Sequence, residues 1–78
     1  MSDLVIHNIN ISYDESDERV RDFVKYLKGV ERKEEMKAYF EKTKNSENNK
    51  INIDDKFSNE FTLEYLGGHN CTLKLRGM

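Results

Sequence analysis

A chain of 78 residues with a net charge of −2 forms one domain, residues 1–78, because its apolar residues cannot supply two separate cores. Its single cysteine excludes an internal disulfide, and its longest apolar run, Leu4-Val5-Ile6, is too short to span a bilayer. No signal peptide is recognisable at the start, so we expect a cytoplasmic protein without a membrane segment.

The first expected element is a strand over residues 4–13, LVIHNINISY. Four apolar or aromatic residues alternate on one parity, as they do on one face of a strand: Val5, Ile9, Ile11 and Tyr13. Leu4 and Ile6 have the opposite parity. Either a central strand that is covered on both faces or a bulge near His7-Asn8 would explain this break in the pattern.

Two helices are expected next. Ser16 is the best N-cap for the first, because its hydroxyl can accept from the free N–H groups of the first turn. Its apolar stripe consists of Val20, Phe23, Val24 and Leu27. Gly29 then predicts a left-handed residue that ends the helix. A second helix is expected over residues 31–44, with a narrower stripe made of Met36, Tyr39 and Phe40.

Three alternating segments near Ile51, Phe61 and Cys71 are expected to be strands. If the last two pair with Leu63 opposite Leu73, the connection between them is Gly67-Gly68-His69, a common hairpin length. The same register places Glu60 beside Arg76 on the outer face and turns Cys71 toward the apolar side. We therefore interpret the glycine pair as a hairpin turn.

These elements predict an α+β fold in the order β-α-α-β-β-β, with a four-stranded, mostly antiparallel sheet and two helices packed on one face. The strand residues expected in the core are Val5, Ile9, Ile11, Phe61, Leu63, Cys71, Leu73 and Leu75.

Catalytic chemistry is not expected. Cys71 would need a nearby base and a lowered pKa to act as a nucleophile, whereas a free cysteine on an apolar parity is typically a buried core residue. The Gly67-Gly68 pair precedes a strand and not a helix, so it does not form a phosphate-binding loop. His7, His69 and Cys71 lack the spacing of a metal site. We expect no catalytic residue, no cofactor and no metal.

The charge distribution suggests a surface for a partner. Residues 1–18 carry five acids and no base, and residues 19–50 carry ten bases and six acids. The acids at the start of the first helix suit its dipole and also form an exposed negative patch. Tyr26 lies away from the first helical stripe and Tyr39 at the edge of the second, so both are expected to be partly exposed. Tyrosine is a residue type enriched in binding hot spots. The expected protein-binding residues are Asp14, Glu15, Asp17, Glu18, Tyr26 and Tyr39.

The sequence therefore predicts a small non-catalytic protein-binding module, a regulator or inhibitor that occupies a partner's surface. Its Lys/Asn/Ile/Glu-rich composition is common in proteins of AT-rich bacteria and their phages. The alternative is nucleic-acid binding through Arg21, Lys25 and Lys28, although acids are interleaved with these bases. An uncovered edge strand could also pair with itself in a homodimer.

Overall fold

The computed structural model describes residues 2–55 and 57–76. Along the chain these form β1 (Ser2–Ile6), β2 (Ile9–Tyr13), α1 (Glu18–Leu27), α2 (Val30–Asn45), β3 (Lys50–Asp54), β4 (Glu60–Gly67) and β5 (Asn70–Leu75). The strands make one sheet in the order β1-β2-β5-β4-β3. Neighbours are antiparallel except β2 and β5, which are parallel. The α+β class is confirmed, and the expected four-stranded sheet is corrected to a five-stranded mixed one.

The fifth strand arises because residues 4–13 form a hairpin and not one strand. His7 and Asn8 both have positive φ, 51° and 67°, which is the backbone of a two-residue turn matched to the twist of paired strands. Ile6 consequently lies opposite Ile9, and Leu4 opposite Ile11. Residues directly opposite each other in an antiparallel pair share a face, so the two parities of the sequence are brought onto one side of the sheet.

The same correction reverses one core assignment. Val5 was expected in the core, but it is 65% exposed on the face of the sheet away from the helices. Ile6, its neighbour, is 2% exposed and belongs to the core. The reversal follows from the turn, since β1 and β2 expose opposite parities once they pair.

The two helices lie close to the expected bounds, but their ends are formed differently. Asp17, and not Ser16, is the N-cap of α1, and its carboxylate accepts from the Arg19 N–H at 2.9 Å. Gly29 has φ −63° and ψ 146°, so it is an extended residue that begins α2 and not a left-handed end of α1. The neighbouring Lys28, which is α-helical, is the C-cap of α1.

The β4–β5 hairpin has the expected register over most of its length. Leu63 lies opposite Leu73 and Tyr65 opposite Cys71. Near the turn the pairing shifts, because a bulge between Tyr65 and Gly67 places Gly67 opposite Asn70. The connection is therefore two residues, Gly68-His69, and not three.

One continuous core lies between the sheet and the helices. α1 and α2 supply Val20, Phe23, Val24, Leu27, Met36 and Phe40, and the sheet supplies Ile6, Ile9, Ile11, Ile53, Phe61, Leu63, Cys71 and Leu73. Thr43, which the sequence pattern missed, is also fully buried, and its hydroxyl donates to the Tyr39 carbonyl at 2.7 Å. This back-bond satisfies the one polar group that such a residue brings into the core. Within the described residues, neither helix has the length and apolar character to cross a membrane.

Candidate functional site

A small hollow lies between α1 and the connection from β3 to β4. It is lined by Asp22, Phe23, Tyr26, Asp55 and Phe57 and has a volume of about 40 Å³. Phe57 is 71% exposed and Tyr26 is 36% exposed, so two aromatic rings reach solvent at one place. We call this feature the aromatic hollow.

The loop that carries Phe57 is held by a single carboxylate. One Asp55 oxygen accepts from the N–H groups of Phe57 and Asn59, each at 2.8 Å, and the other accepts from the Asn59 side chain at 2.9 Å. The Asp55 N–H in turn donates to the Asn59 carbonyl at 3.0 Å. Local hydrogen bonds of this kind are the reason that aspartate and asparagine favour turns. The backbone of the loop at Phe57 is therefore held by Asp55 and Asn59.

Hydrogen bonding also sets the charge state of Asp55. Partial burial acts to raise the pKa of this carboxyl, but the hydrogen bonds from Asn59 and Phe57 outweigh it, and its pKa lies below the ordinary value. Asp55 is thus ionised at neutral pH. With Asp22 it gives the aromatic hollow an acidic rim.

The other wall of the aromatic hollow is formed by Phe23 and Tyr26 of α1, which pack against the core. Phe23 is buried and stacks on Phe61 with ring centroids 4.4 Å apart, and Tyr26 stacks on Phe23 at 5.9 Å. The Arg32 guanidinium lies 4.7 Å from the centre of the Tyr26 ring, within the range of a cation–π contact. Tyr26 is therefore held between a core aromatic ring and a cation of α2.

The expected acidic residues lie together around the start of α1, where each carboxylate has a local role or an exposed position. Asp14 accepts from the N–H and hydroxyl of Ser16, and these hydrogen bonds lower its pKa. Asp17 caps α1, and its hydrogen bond with the Arg19 side chain lowers its pKa. Glu15 accepts from the Ser2 hydroxyl, and Glu18 is exposed in the first turn.

Tyr39, the other expected anchor, is half-buried and packs against the core. Desolvation raises the pKa of its hydroxyl, and the nearby charges of Glu35 and Tyr26 act in the same direction. Tyr39 therefore belongs to the same side of the molecule as Tyr26 but shows less of its ring to solvent. Phe57, which the sequence reasoning missed, is more exposed than either tyrosine. The sequence feature that could have identified it is an aromatic residue inside an otherwise polar turn.

The three bases of the alternative site share one surface with acids. Arg21, Lys25 and Lys28 line a hollow of about 290 Å³ together with Tyr13, Glu15 and Asp22 among others. The Arg21 guanidinium also donates to the Glu15 carbonyl at 2.7 Å. The structure brings the three bases together, as expected, but the acids Glu15 and Asp22 share the same surface.

The expected inward position of Cys71 is confirmed. Its side chain is fully buried, and desolvation raises the pKa of the thiol to about 12. His69 is exposed in the β4–β5 turn, and His7, in the β1–β2 turn, lies with Nε2 3.4 Å from the Glu34 carboxylate. Among the described residues, no group of three or more His, Cys, Asp or Glu side chains could hold a metal ion.

Comparison of the chain with models of protein families, with curated proteins and with solved structures gave no match.

Proposed function

We propose that this protein is a small non-catalytic binding module that regulates or inhibits a partner protein by occupying its surface, and that the aromatic hollow makes the central contact. The observation that carries the proposal is the 71% exposure of Phe57 on a loop that Asp55 holds in place. Covering such an exposed aromatic side chain on binding yields roughly 1.5–3 kcal/mol.

The dimensions and charge of the aromatic hollow suggest what it receives. Ligand pockets usually measure about 300–1,000 Å³, whereas this hollow measures about 40 Å³. It has room for the tip of one side chain and not for a cofactor. The acidic rim favours a partner segment that presents an apolar side chain next to a lysine or arginine. Asp22 is placed to contact that base, and Asp55, whose carboxylate is engaged within its loop, contributes its charge.

The acids around the start of α1 would contribute at longer range. The carboxylates of Asp14 and Asp17 are engaged in local hydrogen bonds, so they are not free to form new short contacts without losing those bonds. Their charges, with those of Glu15 and Glu18, still add to an acidic end of the molecule that attracts a basic partner. We assign these four residues to steering and Tyr26 and Phe57 to the contact itself.

The experiment is capture of the partner from source cells with tagged protein. Wild type is compared with Tyr26→Ser and Phe57→Ser, and with Leu66→Ser as a matched control, because Leu66 is 56% exposed on β4. Hot-spot aromatic residues typically contribute 2 kcal/mol or more, so the two hollow variants should bind roughly 30-fold more weakly. Equal capture by all variants, or an equal loss with Leu66→Ser, would contradict the proposal.

A second candidate function is nucleic-acid binding through Arg21, Lys25 and Lys28, which share one hollow with Tyr13. Phosphate contacts would make binding weaken steeply with salt. An electrophoretic shift of mixed DNA and RNA fragments at low salt tests it, with Lys25→Gln and Lys28→Gln against Lys74→Gln, an exposed lysine of β5. The absence of any shift at low salt would end this candidate.

A further inference from the structure

Strand β3 forms one edge of the sheet, and the direction of its backbone groups can be read from its flanking hydrogen bonds. The Tyr65 N–H donates to the Asn49 carbonyl at 2.8 Å, and the Asp55 N–H donates to the Asn59 carbonyl at 3.0 Å. Alternate residues of an antiparallel strand direct their N–H and C=O groups to the same side. The odd-numbered residues of β3 therefore bond to β4, and Lys50, Asn52 and Asp54 direct their backbone groups outward.

This outer edge is accessible. The side chains of Lys50, Asn52 and Asp54 are all exposed, on the face of the sheet away from the helices. A hollow of about 480 Å³ runs beside the start of β3 and is lined by Lys50, Ile51 and Asn52 with the preceding loop. One outward group is already bonded within the chain, since the Lys50 N–H donates to the Ser46 hydroxyl at 2.9 Å.

The sequence of this edge is complementary to itself. The strand reads Lys50-Ile51-Asn52-Ile53-Asp54, with a base at one end, an acid at the other and Asn52 in the middle. When two copies run antiparallel with Asn52 opposite Asn52, each Lys50 lies opposite Asp54 of the second copy. Each Ile51 then lies opposite Ile53 on the helix side of the sheet.

We propose that two copies of this protein pair through β3 about a twofold axis at Asn52, which joins their sheets into one continuous sheet. The backbone supports this register as well as the side chains do. The Asn52 N–H of each copy meets the Asn52 carbonyl of the other, and each Asp54 N–H meets a Lys50 carbonyl. These four backbone bonds use groups that β3 directs outward, while the Lys50 N–H keeps its bond to the Ser46 hydroxyl.

The opposite edge of the sheet lacks this complementarity. The two-residue turn after β1 makes Ile6 and Ile9 the closing pair, so Asp3 and Val5 direct their backbone groups outward. Antiparallel self-pairing of β1 has three registers, which place Asp3 opposite Asp3, Asp3 opposite Val5, or Val5 opposite Val5. The first opposes like charges, and the other two bring no opposite charges of β1 together, which leaves β3 as the edge suited to a second copy.

The charged ends of β3 would also select the partner. Charged residues on an edge strand discourage pairing with unrelated strands. Here the same charges are matched when the second strand is a copy in the twofold register. An isologous contact of this kind uses the same surface on both subunits, so the assembly closes at two copies.

The test is sedimentation of the full chain from about 10 µM to about 1 mM, the range suited to an interface of one strand pair. Wild type should shift from monomer to dimer as concentration rises. Lys50→Asp and Asp54→Lys each replace both opposite-charge pairs by like-charge pairs, so each should weaken self-association on the order of tenfold or more. Circular dichroism confirms that both variants remain folded.

Two combinations separate the register from a general charge effect. The double variant Lys50→Asp/Asp54→Lys places opposite charges together again and should restore the dimer. An equimolar mixture of the two single variants should form a heterodimer although each alone is monomeric. A wild type that remains monomeric at about 1 mM, a dimer that ignores both single reversals, or assembly beyond two copies would overturn the proposal.

Discussion

Phe23 of α1 stacks on Phe61 of β4 with their ring centroids 4.4 Å apart and their planes 11° from parallel. Phe61 is fully buried and Phe23 is 3% exposed, so this pair joins the helical layer to the sheet near the middle of the core. Tyr26 stacks on the outer side of Phe23. The surface ring of the aromatic hollow is thus positioned by a core contact.

Phe61→Ala should lower the free energy of unfolding by about 3–5 kcal/mol, because it removes a buried ring and leaves a cavity. Urea denaturation followed by circular dichroism measures the change. Phe57→Ala is the matched control and should change stability by less than about 0.5 kcal/mol, since an exposed ring contributes little to the core. Similar losses for the two variants would contradict the burial difference between the two rings.

Cys71 should resist alkylation in the native protein. Burial raises the pKa of its thiol from 9.0 to about 12, which lowers the thiolate fraction at neutral pH by about a thousandfold. Iodoacetamide labelling at pH 7.5 with and without denaturant, followed by mass spectrometry, measures the protection. Rapid labelling of the native chain would show that the thiol is accessible.

The same shift predicts how stability depends on alkaline pH. Because the folded state holds the Cys71 proton more tightly than the unfolded state does, the associated stabilisation is complete below about pH 9. It is lost as pH rises from there toward 12. Cys71→Ala should flatten this part of the curve of unfolding free energy against pH, and an unchanged slope would contradict the assignment.

Substitutions of Asn8 test the hairpin turn that divides residues 4–13 into β1 and β2. Its φ of 67° is unfavourable for a β-branched residue, so Asn8→Val should destabilise the fold by about 1–2 kcal/mol. Asn8→Gly should be neutral or stabilising, because glycine adopts this conformation without strain. Lys74→Val, at an exposed strand position of β5, controls for adding the same side chain and should have little effect. Thermal unfolding of the three variants gives the comparison, and an Asn8→Val protein as stable as Lys74→Val would favour one uninterrupted strand.

The charge of Asp55 should make the stability of the loop that carries Phe57 depend on pH. Asp55→Ala removes the acceptor for the Phe57 and Asn59 N–H groups and should cost about 1 kcal/mol at pH 7, in the range of a lost helix cap. Since the folded pKa lies below 3.8, the stabilisation is present above that pH and is lost as pH falls through the folded pKa. The stability difference between wild type and Asp55→Ala should therefore shrink below about pH 3.8, as acid titration of both proteins would show. A difference that persists unchanged in acid would show that the carboxylate charge is not responsible.

Local periodicity was sufficient for several elements. The stripe from Val20 to Leu27 predicted α1, and the alternation of Phe61, Leu63 and Tyr65 against Leu75, Leu73 and Cys71 predicted both the β4–β5 register and the inward thiol. These features depend on residues near in sequence, and each wrong register would have moved apolar side chains into water. The candidate site was predicted only in part: Tyr26 was identified, and Phe57 was not.

The sequence by itself determined the α+β class, the two helices and the pairing of the last two strands, because burial of one face imposes a period on the order of apolar and polar residues. Only the tertiary structure decided that His7-Asn8 is a turn, that β2 pairs in parallel with β5, and that β3 lies at an edge. A turn without glycine has a weak local signal, and contacts between strands some sixty residues apart depend on the packing of the whole sheet against the helices. The same packing placed Phe57 beside Tyr26, which no local pattern could do.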